Sequence, residues 1–232
     1  MQLAFTDSIA SAEEELLVEI AETPAQILEA KRVRYQVYCE ERGFEAGQDG
    51  LEQDEFDEFS RHVLVRSQLT GKVFGTVRVA FSPPEQPGQG LPMERLCEPR
   101  VTRPLPRTST AEVSRFALLR DRTGISPAGA ALMRLCLIRG VIKICGDNGV
   151  SHLCALMERT LLRLLQATSI HFVPIGPAIE HRGLRHPTVW NVGEGLDRVC
   201  RENRVVWSFI TANGAFWPEG TLVHATHRRL AR

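Results

Sequence analysis

An excess of charge, a paired-cysteine motif and a long apolar run are all missing from this chain of 232 residues, and each absence removes a class of function. Lys plus Arg and Asp plus Glu stand at 28 each, so there is no global field to hold nucleic acid or an anionic membrane surface. The six cysteines, Cys39, Cys97, Cys136, Cys145, Cys154 and Cys200, are scattered singly. With no Cys-x-x-Cys and no secretory leader, the expectation is reduced thiols in a cytoplasmic protein. No apolar run approaches the roughly 20 residues of a membrane-spanning helix, and Arg134, Arg139 and Lys143 interrupt the longest one. The seven histidines, His62, His152, His171, His181, His186, His224 and His227, show no zinc-ligand spacing, so no metal is expected. Ser114 has no Gly-x-Ser-x-Gly elbow around it and reads as a hydrogen-bonding strand serine. No Walker or dinucleotide fingerprint occurs.

With 43% hydrophobic residues, the chain can bury a sizeable core without a disulfide or metal staple. It reads as a single domain over residues 1–232, with a C-terminal extension from about 192. Leu16 to Ile20 is a strand candidate, and Thr23-Pro24 looks like a helix N-cap with proline in the first turn. A helix then runs from Pro24 to Glu41 and stops at Gly43, with Ile27, Ala30, Arg34, Val37 and Tyr38 near helical spacing. Residues 45–61 are acidic and irregular. A hairpin follows, His62 to Ser67 and Lys72 to Phe81, closed by Gln68-Leu69-Thr70-Gly71. The proline- and glycine-rich stretch from Pro83 to Pro106 has one ordered-looking patch, Leu91 to Glu94. After the strand at Ala111 to Leu119, a helix reaches from Pro127 to Asp147. A strand at Val150 to Met157, a helix at Glu158 to Ala167 and a strand at Ile170 to Val173 follow. Gly183 marks a turn between two late strands. This alternation predicts an α/β (α+β) fold, a mixed sheet covered by helices on both faces.

Charge is concentrated locally. Glu40, Glu41, Glu45, Asp49, Glu52, Asp54, Glu55, Asp57 and Glu58 face Arg42 alone over residues 40–58, whereas residues 95–143 are rich in arginine. Glu112 and Arg115 stand among apolar neighbours in a strand-like run, where an ionised group is costly unless it is paired. A structural ion pair, an edge strand facing water or a functional site would each account for them.

The order of elements is similar to that of GNAT-like acyltransferases. Arg34-Tyr35-Gln36-Val37-Tyr38, Phe44, Asp54-Glu55-Phe56-Asp57, Gly75-Thr76-Val77-Arg78 and Glu112-Val113-Ser114-Arg115-Phe116, in this order, resemble the signature of the autoinducer synthases, which make acyl-homoserine lactones. The C-terminal half departs from them. His152 to Glu158, Leu161 to Leu165 and His171 to Pro177 look like N-acyl amino acid synthases, and more closely like the acyltransferases of PEP-CTERM/exosortase systems. These resemblances imply a GNAT-like, mostly antiparallel sheet. They also imply transfer of a long fatty acyl group from the phosphopantetheine of acyl carrier protein, with acyl-CoA possible in its place, to the amine of an amino acid or related small molecule. No bound cofactor is implied.

Such a transfer needs a group to take the amine's proton and donors to hold the oxyanion and departing thiolate. Glu112 is the candidate base. Burial would raise its pKa while Arg115 would oppose that, so sequence leaves the net direction open. Backbone N–H groups near Phe116, Ala117 and Leu118 are placed at the thioester carbonyl by analogy with the fold. Arg34, Arg78, Asp54 and Asp57, with Glu112 and Arg115, form the catalytic set, the arginines offering planar forks to an acceptor carboxylate or to the aspartates. Tyr38 and Phe44 are lid candidates over the acyl thioester, Tyr38 being equally readable as core, and Met157 and Phe172 are acyl-wall candidates in an apolar set most of which is plain core. Arg120 to Gly129 does not match the pyrophosphate-cradling pattern of acetyl-CoA enzymes, which favours a carrier-protein donor docked on Arg95, Arg100, Arg103, Arg107, Arg120 and Arg122. A CoA-dependent N-acetyltransferase, an acyl-homoserine-lactone synthase and a non-catalytic acyl-binding module are the alternatives.

Overall fold

Two strands rich in β-branched residues organise the first part of the chain: β2, Ser60–Ser67, and β3, Val73–Phe81, pair antiparallel with His62 opposite Arg78 and Val63 opposite Val77. Their hairpin closes at Gly71, whose φ of 72° suits a residue without a Cβ. The computed structural model describes residues 14–44, 46–83 and 90–217. They fall into two compact units, one drawn from Met1–Phe81 and Val113–Val141, the other from Ser82–Glu112 and Ile142–Arg232.

In the first unit, β1 (Leu16–Ile20) pairs antiparallel with β2, and strand order continues through β3 to β4 (Thr110–Leu118). β3 is buried along almost its whole length, as expected of a central strand. Gly75 lets β4 come close, since a Cβ there would meet the Leu118 side chain and the Ala117 carbonyl. Helix α1, Pro24–Tyr35, starts from a capping box in which the Thr23 hydroxyl accepts from the Gln26 N–H and the Gln26 side chain accepts from the Thr23 N–H. The predicted helix to Glu41 is present as chain direction but not as one α-helix. Residues Gln36–Glu41 widen into a π-helical turn, and the chain leaves at Gly43 with φ 63°. Ala30, Val33 and Val37 pack with Ala21, Leu64, Val73, Ala117 and Leu119, with Ile27 and Tyr38 against that cluster. Each buried valine or leucine of this cluster contributes about 1.5–3 kcal/mol.

In the second unit, residues Thr110–Glu112 of β4 run parallel to β5, His152–Met157, with Glu112 opposite Cys154. Strand β8, Leu184–Asn191, lies antiparallel to β5 and carries the two-residue strands β6, Val173–Pro174, and β7, Ile179–Glu180. The predicted strand at Ile170 to Val173 is thus shifted toward the C-terminus. The turn at Gly183 joins β7 to β8, with Arg182 and Gly183 both left-handed.

The stretch from Pro83 to Pro106 is more ordered than its composition suggests. Beyond the 3₁₀ turn Pro92–Arg95 it forms a one-turn helix α2, Pro99–Thr102, and Leu91, Met93, Cys97 and Val101 bury with Cys154. Helices α3 (Pro127–Asn148) and α4 (Arg159–Gln166) appear where the periodicity places them. The tail holds two further helices, α5 (Val192–Glu202) and α6 (Arg204–Ile210), capped by the side chains of Asn191 and Asn203. Among the strand pairs with a described register, β4–β5 is parallel and the others are antiparallel, a mixed and mostly antiparallel arrangement.

Candidate active site

Three arginines from three elements converge on one acidic turn in the first unit. Arg34 comes from the last turn of α1, Arg78 from β3 and Arg115 from β4, while Glu52, Asp54 and Asp57 come from the segment before β2. That turn is folded around its own carboxylates: the Asp57 carboxylate accepts from the Asp54 N–H at 3.0 Å, and the Asp54 carboxylate accepts from the Phe56 N–H at 3.0 Å. The Glu52 N–H donates to the Lys31 carbonyl, tying the segment to α1.

Every carboxylate here bridges two arginines. Arg34 donates through Nε to Glu52 and through Nη1 and Nη2 to Asp57, at 2.5 and 3.1 Å. Arg78 donates through Nη1 to Asp54 and to Asp57, the latter at 3.0 Å, and through Nε to the Ser114 hydroxyl at 3.0 Å. Arg115 donates through Nε to Glu52 and through Nη2 to Asp54, both at 2.9 Å. The result is a closed ring of six alternating charges, Arg34, Glu52, Arg115, Asp54, Arg78 and Asp57, with no net charge. Arg34 and Arg78 are fully buried, whereas the side chains of Arg115 and Asp54 retain 16% and 19% exposure. The ring therefore meets solvent at the Arg115–Asp54 edge.

Its electrostatics follow from this geometry. Burial would raise the Asp57 carboxyl, but the Arg34 hydrogen bonds and the Arg34 and Arg78 charges hold it well below the usual carboxylate range. Asp54 is lowered in the same way, burial being outweighed by Arg78 and then Arg115. Burial works against the Arg34 cation, and Asp57 and Glu52 more than compensate, raising it. Arg115 has φ 53°, a left-handed conformation in mid-strand, the only such non-glycine residue within a described strand. Left-handed backbone is uncommon outside glycine and costs of order 1–3 kcal/mol, so this residue is held by its contacts.

Glu112 lies three residues ahead of Arg115 on β4 and belongs to the second unit. It is 3% exposed, and its carboxylate accepts from the Met93 N–H at 2.7 Å. Burial first, and the Glu112 charge second, raise the thiols of Cys97 and Cys154.

The other predicted residues are spread through the units. Tyr38 sits in the π-helical turn against the first core, its phenol raised by burial despite the Arg115, Arg42 and Arg34 charges. The Phe44 N–H donates to the Tyr38 carbonyl at 2.7 Å, and the Arg42 guanidinium stands 5.6 Å from the Phe44 ring centre. Ala117 is buried, Phe116 half-buried, and Leu118 touches Gly75. In the second unit Met157 ends β5 and is buried, and Phe172 packs on Trp190 with ring centres 5.7 Å apart. The hairpin around Gly183 is braced by Arg185, which pairs with Glu158 at 2.8 Å and donates to the His181 and Arg182 carbonyls. Among the surface arginines, Arg100 pairs with Glu98, Arg107 with Glu94 and Arg120 with Glu41.

Two residues of this site escape sequence reasoning. Glu52 is hidden in the acidic run, where nothing local separates the carboxylate that bridges Arg34 and Arg115 from its neighbours. His62, grouped with ordinary strand histidines, is 1% exposed and faces Arg78 across the hairpin. Burial and the Arg34 charge lower its pKa to about 4, against a weaker pull from Asp57.

Residues 33–125 match the family model of the acetyltransferase (GNAT) domain. Among solved structures, the AHL synthase LasI is similar at 20% identity and a TM-score of 0.58, over 76% of this chain and 88% of that one. The CoA-dependent acyl-homoserine lactone synthase BjaI, with SAM and isopentyl-CoA, is similar at 22% identity and 0.60, over 82% and 89%. FeeM, an N-acyl amino acid synthase from uncultured soil microbes, is similar at 19% identity and 0.58, over 79% and 94%. No curated protein matches the sequence. The segment that matches the GNAT domain contains the whole ring and Glu112, and the fold of the chain is GNAT-like.

Proposed function

We propose that this protein is an N-acyltransferase that moves a long fatty acyl chain from acyl carrier protein to the amine of an amino acid or a related small molecule. The observation that carries this reading is the buried ring closed by Arg115, in left-handed backbone on β4, within the segment matching the GNAT domain. A network of this cost is retained where it positions something. The match of FeeM supports an amino-acid acceptor. The resemblance of the C-terminal half to acyltransferases of PEP-CTERM/exosortase systems implies a fatty acyl group placed on an amine, without implying which acceptor.

In this reading Glu112 takes the ammonium proton, directly or through one water, and the freed amine attacks the thioester carbonyl. Backbone N–H groups of Phe116 to Leu118 hold the oxyanion, which collapses to the amide and expels the thiolate; the second amine proton passes to the departing sulfur, which leaves as the thiol. The ring divides its labour by exposure. Arg34, with all three nitrogens engaged and no exposure, is a strut, whereas the Arg115–Asp54 edge is the part an acceptor reaches. Asp54 then meets the acceptor's ammonium and Arg115 its carboxylate. Tyr38 and Phe44 flank the thioester, and Met157 and Phe172 belong to the acyl wall.

The donor has a second reading, because BjaI is described as CoA-dependent. Arg120 to Gly129 lacks the pyrophosphate-cradling pattern, which favours the carrier protein. The test is mass spectrometry of lipid extracts from cells expressing the wild type or Glu112→Gln. A new N-acyl amine present only with the wild type is the expected result. Its absence in several hosts, with the protein folded and abundant, would overturn the reading and favour a non-catalytic acyl-binding module.

A further inference from the structure

The ring satisfies its own charges but leaves three buried polar atoms beside it without a hydrogen-bond partner in the protein. They are Arg78 Nη2 and both ring nitrogens of His62. Arg78 is 0% exposed and His62 1%. The two residues are register partners on β3 and β2, so their side chains leave the sheet on the same face, directly opposite one another. The nearest carboxylate oxygen, Asp57 Oδ1, is 3.7 Å from His62 Nε2, beyond hydrogen-bond range. A buried donor left unmade carries its full desolvation penalty, and native proteins almost always supply such groups with a partner.

The chemistry of the three atoms restricts that partner. Arg78 Nη2 only donates, so the guest must offer a lone pair. A neutral imidazole offers one donor and one acceptor, so the guest meets it in either sense. The six-membered ring of charges is already balanced, so a cation would repel Arg78 and an anion would leave a net buried charge. We infer that His62 and Arg78 together bind one neutral hydrogen-bonding guest, a resident water molecule that completes the coordination of Arg78. Two polar partners are the minimum that holds a buried water. The depressed pKa of His62 agrees with a ring kept neutral at this position. This inference does not rest on the proposed reaction.

Crystal structures of the wild type, His62→Gln and His62→Phe test it, together with 15N spectra of the His62 ring. The expected result is a density peak 2.7–3.2 Å from Arg78 Nη2 and from one His62 nitrogen in the wild type. That peak is retained in His62→Gln and lost or displaced in His62→Phe, and the ring is neutral, in one tautomer, from pH 6 to 8. If His62→Phe fails to fold, the wild-type density and the ring spectra still decide. A dry site in which Arg78 Nη2 and the His62 ring bond directly to protein acceptors would overturn the inference. So would an anomalous peak at this position after a bromide soak, which would make the guest an anion.

Discussion

Acid should destabilise this protein through one buried imidazole before it reaches the carboxylates. His62 ordinarily titrates near 6.5 and is lowered to about 4 by burial and the Arg34 charge, with Arg78 and Lys31 adding to the fall and Asp57 opposing it. The unfolded chain therefore binds this proton more readily than the folded one. Stability from this residue is complete above about pH 6.5, is lost as pH falls, and is exhausted near pH 4. The gap corresponds to about 3 kcal/mol, or roughly 10 °C in Tm for a chain of this size. Asp57 and Asp54, both lowered, add a further loss only when pH drops below the ordinary carboxylate value of 3.8. The assay is urea unfolding of wild type and His62→Gln at half-unit steps from pH 7.5 to 4. The difference between the two curves cancels the other titrating groups, and it should slope by nearly one proton between about pH 4.5 and 6. Parallel curves would refute the reasoning, because they would mean that His62 protonates equally well folded and unfolded.

Further outcomes follow from the site. Glu112→Gln should keep the fold and lose about two to four decades of transfer rate, and Arg115→Lys should also be damaging because a point charge cannot span Glu52 and Asp54; steady-state kinetics checks both. Arg78→Ala or Asp57→Ala opens the ring around an uncompensated buried charge and should cost about 3–5 kcal/mol in denaturant unfolding. The surviving folded enzyme should show altered acceptor affinity with an unchanged distribution of acyl lengths, whereas low melting with normal acceptor kinetics would assign these charges to stability alone. Reversing Arg95 and Arg103 should raise the apparent KM for acyl carrier protein and weaken its salt dependence, with little change at saturation. Equal use of acyl-CoA of the same chain length would remove the docking argument.

Much of the frame was readable because local signals and tertiary demands agree. Thr23-Pro24 caps a helix, Gly71 closes a hairpin, and the charged Arg115 in an apolar strand joins a buried network of opposite charges. The failures have particular causes. Nothing in Gln36 to Glu41 distinguishes a π-helical turn from the α-helix it continues. Gly193 and Gly195 argue against α5 by propensity, yet Gly195 is there because the Trp190 indole occupies the space of a Cβ. The stretch from Leu91 to Leu105 looks like loop because its apolar residues are too widely spaced for a periodic pattern. They bury together with Cys154, which is remote in sequence. Glu52 and His62 were legible as residue types but not as partners, since their meaning depends on which arginines lie opposite.

The closed charge ring also bears on folding order. Glu52, Asp54 and Asp57 crowd into one short segment and repel one another in the unfolded chain, whereas their three counterions arrive from α1, β3 and β4, with Arg115 furthest away in sequence. A partial assembly leaves at least one carboxylate opposite too few cations, so the acidic turn gains little until the last arginine docks. Ring contacts should then be absent from the folding transition state, with φ-values near zero for conservative changes at Asp54 and Asp57, and their loss should appear as faster unfolding rather than slower folding. φ-values near one would mean that the turn nucleates folding instead. If the ring closes last, its arrangement exists only once the first unit is folded.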